Sequence, residues 1–252
     1  MFRYTQRFDH PLADWDTSNV VRMDCMFAGA AFFNQPLAEW DTSSVCTMDY
    51  MFTDAALFNQ PLAHWDTSNV TQMTGMFAGA HSFNQPLADW DTSQVINMSR
   101  MFDGAIRFDQ PLANWNTSKV KRMDCMFRDA ARFNHPLADW DTTMVRTVSW
   151  MFAGCKFFNH PVADWDTSRV ERMNGLFQGA TSFNQPLANW NVTRVSVMDG
   201  VFDGATSFNQ PMCWDVSSVD PSMSDRFHFV INNDPVLAAN FYEIAQAQQE
   251  DS

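Results

Sequence analysis

The sequence predicts an α/β repeat solenoid, with short parallel strands on one face and short helical or 3₁₀ segments on the other. Three observations predict this fold. The chain repeats itself with a period of 25 residues, the first half of each repeat alternates like a strand, and the second half has apolar residues at helical spacing. One repeat cannot bury its own apolar residues, so successive repeats must stack and align equivalent residues into columns.

Tryptophan and phenylalanine mark the period most clearly. Tryptophan occupies one position of eight successive repeats: Trp15, Trp40, Trp65, Trp90, Trp115, Trp140, Trp165 and Trp190. Phenylalanine opens each repeat from Phe8 onward, and a proline follows three residues later. We therefore divide the chain into a partial repeat (1–7), eight repeats numbered 1 to 8 (8–207), a degenerate ninth repeat (208–232) and a C-terminal capping helix with a tail (233–252).

The fourth repeat illustrates the two predicted elements. Trp90 and Thr92 are two residues apart and are expected on one side of a short strand, with Asp89 and Asp91 on the other side. The apolar residues that follow recur every three or four residues, as on one face of a helix: Val95, Met98, Met101, Phe102 and Ala105. Asp91 is a suitable N-cap residue and Gly104 suits a C-terminal turn.

The repeat unit F-N-Q-P-L-A-D-W-D-T-S-x-V-x-x-M-x-x-M-F-x-G-A resembles that of the BspA-like leucine-rich-repeat surface proteins. It is more closely similar to the 25-residue repeat of mycoplasma-type lipoproteins of unknown function, and the similarity covers residues 8–208. The resemblance implies a leucine-rich-repeat-like architecture, a role in adhesion and protein recognition, and a place at the cell surface or outside the cell. It implies no catalytic residues.

Composition narrows the function further. The formal net charge of −13 argues against nucleic acid as a partner, because phosphate binding needs a basic face. We expect no membrane span and no signal peptide, since no apolar stretch is long enough. The five cysteines lack a C-x-x-C spacing, and buried free thiols are expected rather than disulfides. Because the first residues align with the middle of a repeat, the chain either begins with a half-turn that acts as a cap or begins at an internal methionine.

An acidic column is the first candidate site, formed by Asp16, Asp41, Asp66, Asp91, Asp141 and Asp166. Asn116 and Asn191 replace aspartate at this position in repeats 5 and 8. One interpretation is that each residue accepts backbone N–H groups of the following turn, which asparagine does as well as aspartate. The alternatives are a cation held between the carboxylates or a basic partner.

A threonine column follows the tryptophans, from Thr17 to Thr167. Regular threonine ladders on a flat face resemble those of ice-binding proteins. Because threonine shares its side of the predicted strand with tryptophan, we expect it to point into the core instead.

Basic residues form the third candidate site. No lysine or arginine lies between Met23 and Ser99, whereas half of the sixteen basic residues fall in a short stretch of repeats 4 to 6. These eight residues are Arg100, Arg107, Lys119, Lys121, Arg122, Arg128, Arg132 and Arg146. Such a run is either an ordinary solvated face or a specific site for a partner.

The sequence contains no catalytic motif, no phosphate-binding loop and no metal-ligand spacing, so we expect neither an enzyme nor a bound cofactor. Its expected function is that of a non-enzymatic scaffold that binds a protein partner, with a glycan partner left open. Two alternatives remain: a structural subunit that assembles through the ends of the stack, and cation binding by the acidic column.

Overall fold

A computed structural model of the chain describes residues 1–211 and Trp214. Successive repeats lie directly on one another, joined by isolated parallel β-bridges between residues 25 positions apart, from Arg22 with Thr47 to Arg172 with Val197. Apart from these single-residue bridges, the described residues form turns and irregular backbone, with no helix and no longer strand. None of the described residues therefore belongs to a helix that could cross a membrane.

The predicted α/β repeat solenoid with a leucine-rich-repeat-like face of helical or 3₁₀ segments is wrong. In residues 95–105, where a helical segment was expected, Arg100 has a φ of 61° and Gly104 a φ of 71°. The equivalent residues of the other repeats, such as Trp150 and Gly154, have the same left-handed backbone. A right-handed helix cannot continue through such a residue, so the segment folds as a series of turns.

The backbone hydrogen bonds explain why turns replace the helix. The amides of Met98, Arg100, Phe102 and Gly104 donate to carbonyl oxygens of the next repeat at 2.6–3.0 Å. The intervening amides close short turns instead: Asp103 N–H, for example, donates to the carbonyl of Arg100 at 3.1 Å. Amides that a helix would use within itself thus hold neighbouring repeats together. The spacing of the apolar residues does not reveal this difference.

The predicted short strand in residues 87–92 is also absent. The Trp90 amide donates to the carbonyl of Leu87 at 3.2 Å, which makes this segment a turn. The expected sides of the chain are nevertheless correct: Trp90 and Thr92 are buried, whereas Asp89 and Asp91 are exposed. The parallel bridge of this repeat lies further on, at Asn97.

The core consists of columns of stacked aromatic rings. Neighbouring tryptophans such as Trp115 and Trp140 are nearly parallel, with ring centroids 6.4 Å apart. A phenylalanine near the end of one repeat packs against the phenylalanine that opens the next, as in Phe127 and Phe133, whose ring centroids are 4.1 Å apart. From Trp40 onward, each stacked indole also donates to a carbonyl of the preceding repeat; Trp140 Nε1–H, for example, bonds Leu112 at 3.0 Å. Apolar burial and this hydrogen bond together fix the register between repeats.

The first tryptophan of the column differs from the rest. Trp15 is 40% exposed, whereas Trp40 is 3% exposed, because Trp15 stacks on Trp40 on one side only. The burial expected of apolar residues in stacked repeats therefore does not extend to Trp15. At the other end, Trp214 still stacks on Trp190 at 6.0 Å. The rest of the predicted ninth repeat and the predicted capping helix (233–252) lie outside the described residues, apart from residues 208–211.

The cysteines of the described part of the chain are free thiols. Cys125 and Cys155 are buried, as expected, while Cys25 and Cys46 are half-buried. Burial raises the pKa of the Cys155 thiol well above its ordinary value, which keeps it protonated and unreactive. Cys213 lies outside the described residues.

Candidate functional site

The acidic column serves the backbone of the turn that follows it. Asp141 Oδ1 accepts hydrogen bonds from Thr143 N–H at 3.0 Å and from the Thr143 hydroxyl at 2.6 Å. Asn116 Oδ1 does the same with Ser118, at 3.1 Å and 2.7 Å. The interpretation of this column as a series of Asx turns is confirmed, and it explains why asparagine replaces aspartate there without loss.

These hydrogen bonds also lower the pKa of several aspartates of the acidic column. Hydrogen bonds from the side chain of the following serine, and then from its amide, lower the pKa of Asp16, Asp41 and Asp166. The amide of Ser93 is the main cause of the lowered pKa of Asp91. Within the described residues no three His, Cys, Asp or Glu side chains are grouped so that they could hold a metal ion.

The threonine column faces inward, as the sequence predicts. Thr117 is buried and its hydroxyl donates to the carbonyl of Asp141 in the next repeat at 2.9 Å. Thr42 and Thr92 make the equivalent bond, to Asp66 and Asn116. A buried hydroxyl that is already engaged cannot present itself to an ice surface, so this column is a link between repeats.

A second link between repeats was not predicted from the sequence. In the F-N-Q-P segment, Asn84 Oδ1 accepts the backbone N–H of Asp109 at 2.8 Å and the side-chain amide of Gln110 at 3.1 Å. His135 takes the place of glutamine in repeat 6, with Nε2 3.1 Å from the carbonyl oxygen of Asp109. The available signal was the recurrence of Asn-Gln at one position of repeats 2, 3, 4 and 8, since a turn alone does not require glutamine.

The structure separates the eight predicted basic residues into two sets. The first set is Lys119, Lys121, Arg122 and Arg146. The Lys121 amide donates to Ile96 and the Arg146 amide donates to Lys121, both at 2.9 Å, so the side chains of this column are neighbours. Arg122 directly follows Lys121 in the chain and forms the parallel bridge with Thr147, so its column lies beside the column of Lys121 and Arg146.

The second set, Arg100, Arg107, Arg128 and Arg132, belongs to the turns that follow. Arg128 is half-buried and makes two hydrogen bonds to the carboxylate of Asp103, at 2.8 Å and 2.7 Å. Arg100 lies 3.9 Å from the same carboxylate. These two charges are used within the protein, and the second set does not continue the surface of the first.

We define the ladder face as the positions equivalent to 114, 116, 119, 121 and 122 in all eight repeats. It brings in four basic residues that the sequence did not single out, Arg22, Arg169, Arg172 and Arg194. They were missed because they lie far along the chain from Lys119, although stacking aligns them with it. Arg146 pairs with Glu171 at 2.9 Å on this face.

A shallow groove lies near the N-terminal end of the stack. Its volume is about 700 Å³ and it is lined by Arg7, Asp9, Phe32, Asn34 and Leu57. Phe32 and Leu57 are 56% and 48% exposed, so the groove has an apolar side.

A comparison with protein-family models also identifies the chain as a repeat protein. Residues 1–70, 58–161 and 135–236 match, in three overlapping segments, the model described as Mycoplasma protein of unknown function, DUF285. The chain belongs to this family. The match supports the resemblance to the mycoplasma-type repeat, and not the one to BspA-like leucine-rich-repeat proteins. A comparison with curated proteins gives no match.

The DUF285 repeat is thus a tandem repeat whose constant residues have structural roles. Tryptophan, phenylalanine, threonine, aspartate and asparagine each form a contact between repeats or within a turn. The positions that vary from one repeat to the next, such as those of Lys119 and Lys121, are exposed. Any function specific to this chain has to be sought among these variable positions.

Proposed function

We propose that this DUF285 protein is a non-enzymatic scaffold that recognises a protein partner through the variable positions of its ladder face. One observation carries the proposal. At the positions equivalent to 119, 121 and 122, repeats 1 to 4 are uncharged apart from Arg22. Repeats 5 to 8 hold seven basic residues and one acid, Glu171, at the same positions: Lys119, Lys121, Arg122, Arg146, Arg169, Arg172 and Arg194. Stacked repeats with a constant core commonly bind partners through such variable outer positions.

The non-enzymatic part of the proposal rests on how the reactive side chains are used. The aspartates of the acidic column accept hydrogen bonds from their own turns, and His135 replaces a glutamine that bridges two repeats. Cys155 is fully buried with its thiol donating to the Phe127 carbonyl at 2.9 Å. Each of these side chains thus already has a structural hydrogen bond, and this use supports a non-enzymatic role.

The proposed setting is the cell surface, with adhesion as the biological role. What supports this setting is the resemblance of the repeat unit itself to BspA-like surface proteins; the match to the DUF285 model does not bear on it. A folded protein is favoured as the partner over a glycan, because charged side chains on a rigid stack give specificity and rapid association with a complementary protein surface.

The experiment is photo-cross-linking of the purified chain to intact cells and to cell extracts of its source organism, followed by identification of the captured proteins. The chain is compared with a variant that carries Lys119→Asn, Lys121→Thr and Arg122→Gln. These substitutions import the residues found at the same positions of repeat 3, Asn69, Thr71 and Gln72, which the fold already accommodates.

Two control variants alter other surfaces. Arg107→Ser, Arg132→Ser and Lys156→Thr remove the same number of positive charges from exposed turn positions, where other repeats carry Ser82 or Thr181. Phe32→Ser and Leu57→Ser remove the apolar side of the groove. We expect one captured protein that is lost with the ladder-face variant and kept with both controls. Capture that is insensitive to the ladder-face variant contradicts the proposal.

A second candidate function, assembly of chains through the end of the stack, has one observation in its favour. Trp15 is 40% exposed, whereas the indole rings above it in the column are buried between two neighbours. An aromatic surface of this kind would stack against another molecule. Sedimentation velocity tests this: assembly predicts association that rises with protein concentration and is abolished by Trp15→Gln. A monomer at every concentration contradicts it.

A further inference from the structure

The fifth repeat has a different charge from all other repeats on the ladder face. Its five ladder-face residues are Asn114, Asn116, Lys119, Lys121 and Arg122, which carry a net charge of +3. The corresponding residues of every other repeat sum to between −2 and +1. Repeat 5 combines two changes: basic residues appear at three positions, and asparagine replaces the acids that most repeats carry at the first two.

All five side chains are directed to solvent by the buried residues between them. Asn114 and Asn116 flank buried Trp115, and Lys119 and Lys121 flank buried Val120. Backbone hydrogen bonds from Lys121 to Ile96 and from Arg146 to Lys121 hold this segment between repeats 4 and 6. The positive side chains therefore project from a rigid base, which lowers the entropic cost of binding a partner.

Neither lysine charge of this repeat is neutralised by an acidic side chain among the described residues. Lys119 Nζ donates to the neutral side chain of Gln94 at 2.6 Å. Lys121 has no side-chain partner in the described part of the chain. Arg122 lies 3.3 Å from Asp124, so its charge is partly balanced. Two ammonium groups without an acidic partner in this part of the chain, and one guanidinium group, can therefore meet an anionic ligand.

The repeats on either side limit the length of that ligand. On the ladder face, repeat 4 presents Asp89 and Asp91 without a basic residue, and repeat 6 presents Asp139 and Asp141 with Arg146 already paired to Glu171. A polymer with a negative charge on every unit, laid along the stack, would pass from repeat 5 onto repeats 4 and 6, which lie about 5 Å to either side of it, the spacing of neighbouring strands, and would meet their carboxylates. Its negative charges and these carboxylates repel one another. A short segment with a few acidic residues between neutral ones avoids them.

We propose that the ladder face of repeat 5 is the binding site for a short acidic peptide segment of the partner protein. This inference rests on the proposed function and specifies its site and the chemistry of its ligand. Lys119 and Lys121 bind the carboxylates, Arg122 contributes a third contact, and Asn114 and Asn116 keep the site free of opposing charge. The aspartates of repeats 4 and 6 exclude long polyanions such as sulfated glycans and nucleic acids.

The test uses the full chain and a short fluorescein-labelled peptide in which three glutamates are separated by glycines. Binding is followed by fluorescence anisotropy at low and at physiological salt. The same peptide with three glutamines, and heparin as a competitor, are the ligand controls. We expect the wild-type chain to bind the glutamate peptide but not the glutamine peptide, with heparin competing poorly and with an affinity that falls as salt screens the charges.

Two pairs of variants locate the site. The site variant, Lys119→Asn with Lys121→Thr and Arg122→Gln, should weaken peptide binding by about tenfold or more. Its control, Arg107→Ser with Arg132→Ser and Lys156→Thr, removes the same charge from other surfaces. It should leave peptide binding within about twofold of the wild-type chain. Asn114→Asp with Asn116→Asp should also weaken binding. The matched change Asn189→Asp with Asn191→Asp, at the same positions of repeat 8, should not. Circular dichroism confirms that each variant is folded.

Equal loss in the site variants and their controls would show that only the overall charge matters, and it overturns the proposal. Absence of binding by the wild-type chain, or heparin binding more tightly than the peptide, overturns it as well. The broader function is judged separately. A cross-linked partner that depends on the groove residues or on another face would keep the recognition scaffold and remove this site.

Discussion

The indole ring of Trp150 occupies the space that a side chain at Gly175 would need. A Cβ atom at Gly175 would lie 2.2 Å from Trp150 Cδ1 and 2.4 Å from Nε1. Gly175 is the residue equivalent to Trp150 in the next repeat, and its φ of 61° is left-handed. An exposed aromatic residue in one repeat is thus accommodated by a glycine in the next.

This contact predicts that Gly175→Ala is unusually destabilising. The left-handed backbone alone costs an alanine about 1 kcal/mol. Gly179→Ala is the control, because its φ is 67° but its new Cβ would only approach Gly154 N at 3.8 Å. We expect Gly175→Ala to reduce the free energy of unfolding by about 1 kcal/mol more than Gly179→Ala does, as measured by urea denaturation. In a Trp150→Gly background the difference between the two alanine substitutions should disappear.

The hydrogen bond from Trp140 Nε1 to the Leu112 carbonyl predicts a loss of stability in Trp140→Phe. Phenylalanine keeps an aromatic ring in the column but removes one of the two hydrogen bonds to the Leu112 carbonyl, which then keeps the Trp115 amide at 3.1 Å. The loss of that one hydrogen bond costs about 1 kcal/mol. Trp15→Phe is the matched control, since Trp15 is exposed and has no equivalent carbonyl to bond among the described residues. Urea denaturation of both variants should show a loss only for Trp140→Phe. Equal losses would mean that ring size, and not the hydrogen bond, determines the cost.

The pair formed by Arg128 and Asp103 predicts coupling between two repeats. Desolvation raises the pKa of Asp103, while Arg128 opposes this rise. Arg128→Ala should cost about 1 kcal/mol, because the mostly buried carboxylate then keeps only the distant Arg100. Asp103→Ala with Arg128→Ala should cost less than Arg128→Ala alone, since Ala28, Ala78 and Ala153 occupy this position in other repeats.

A double-mutant cycle measures this coupling. Arg22 and Asp24 provide the control pair: their atoms are 2.8 Å apart, but the Arg22 side chain is 75% exposed. Additive effects at Arg128 and Asp103 would contradict the prediction.

The Asx turns predict how stability depends on pH. The pKa values of Asp16, Asp41, Asp91 and Asp166 are lowered in the folded chain by hydrogen bonds from the following serine. Each carboxylate therefore stabilises the fold at pH values above its ordinary pKa of 3.8, and this contribution is lost as the pH falls through the lower folded value. Replacing all four with asparagine keeps the acceptor and removes the titration.

We expect the free energy of unfolding to fall less between about pH 5 and pH 2 in this variant than in the wild-type chain. The control replaces Asp14, Glu39, Asp89 and Asp164 with their amides, because these carboxylates accept no hydrogen bond from the described residues. An identical acid dependence in both variants would contradict the prediction.

Much of the molecule is determined by the sequence itself. The 25-residue period sets which residues form columns, and the two-residue alternation around Trp90 correctly separates buried from exposed side chains. The inward direction of Thr92 and the Asx-turn role of Asp91 also follow from residue type and position. These features could be predicted because each depends on the side chain itself or on its immediate neighbours in the chain.

The tertiary structure decided the rest. The apolar spacing in residues 95–105 fits a helix, but the amides of Met98 and Phe102 bond the next repeat, and Arg100 and Gly104 adopt left-handed backbone. Hydrogen bonds between repeats outweigh local helix formation here, and periodicity cannot distinguish the two.

The arrangement of the basic residues was likewise settled only by stacking. Neighbours in the sequence such as Lys121 and Arg128 separate onto different columns, while Lys121 and Arg146, a full repeat apart, become neighbours. Contacts between repeats, and not proximity along the chain, therefore determine which charges share a surface.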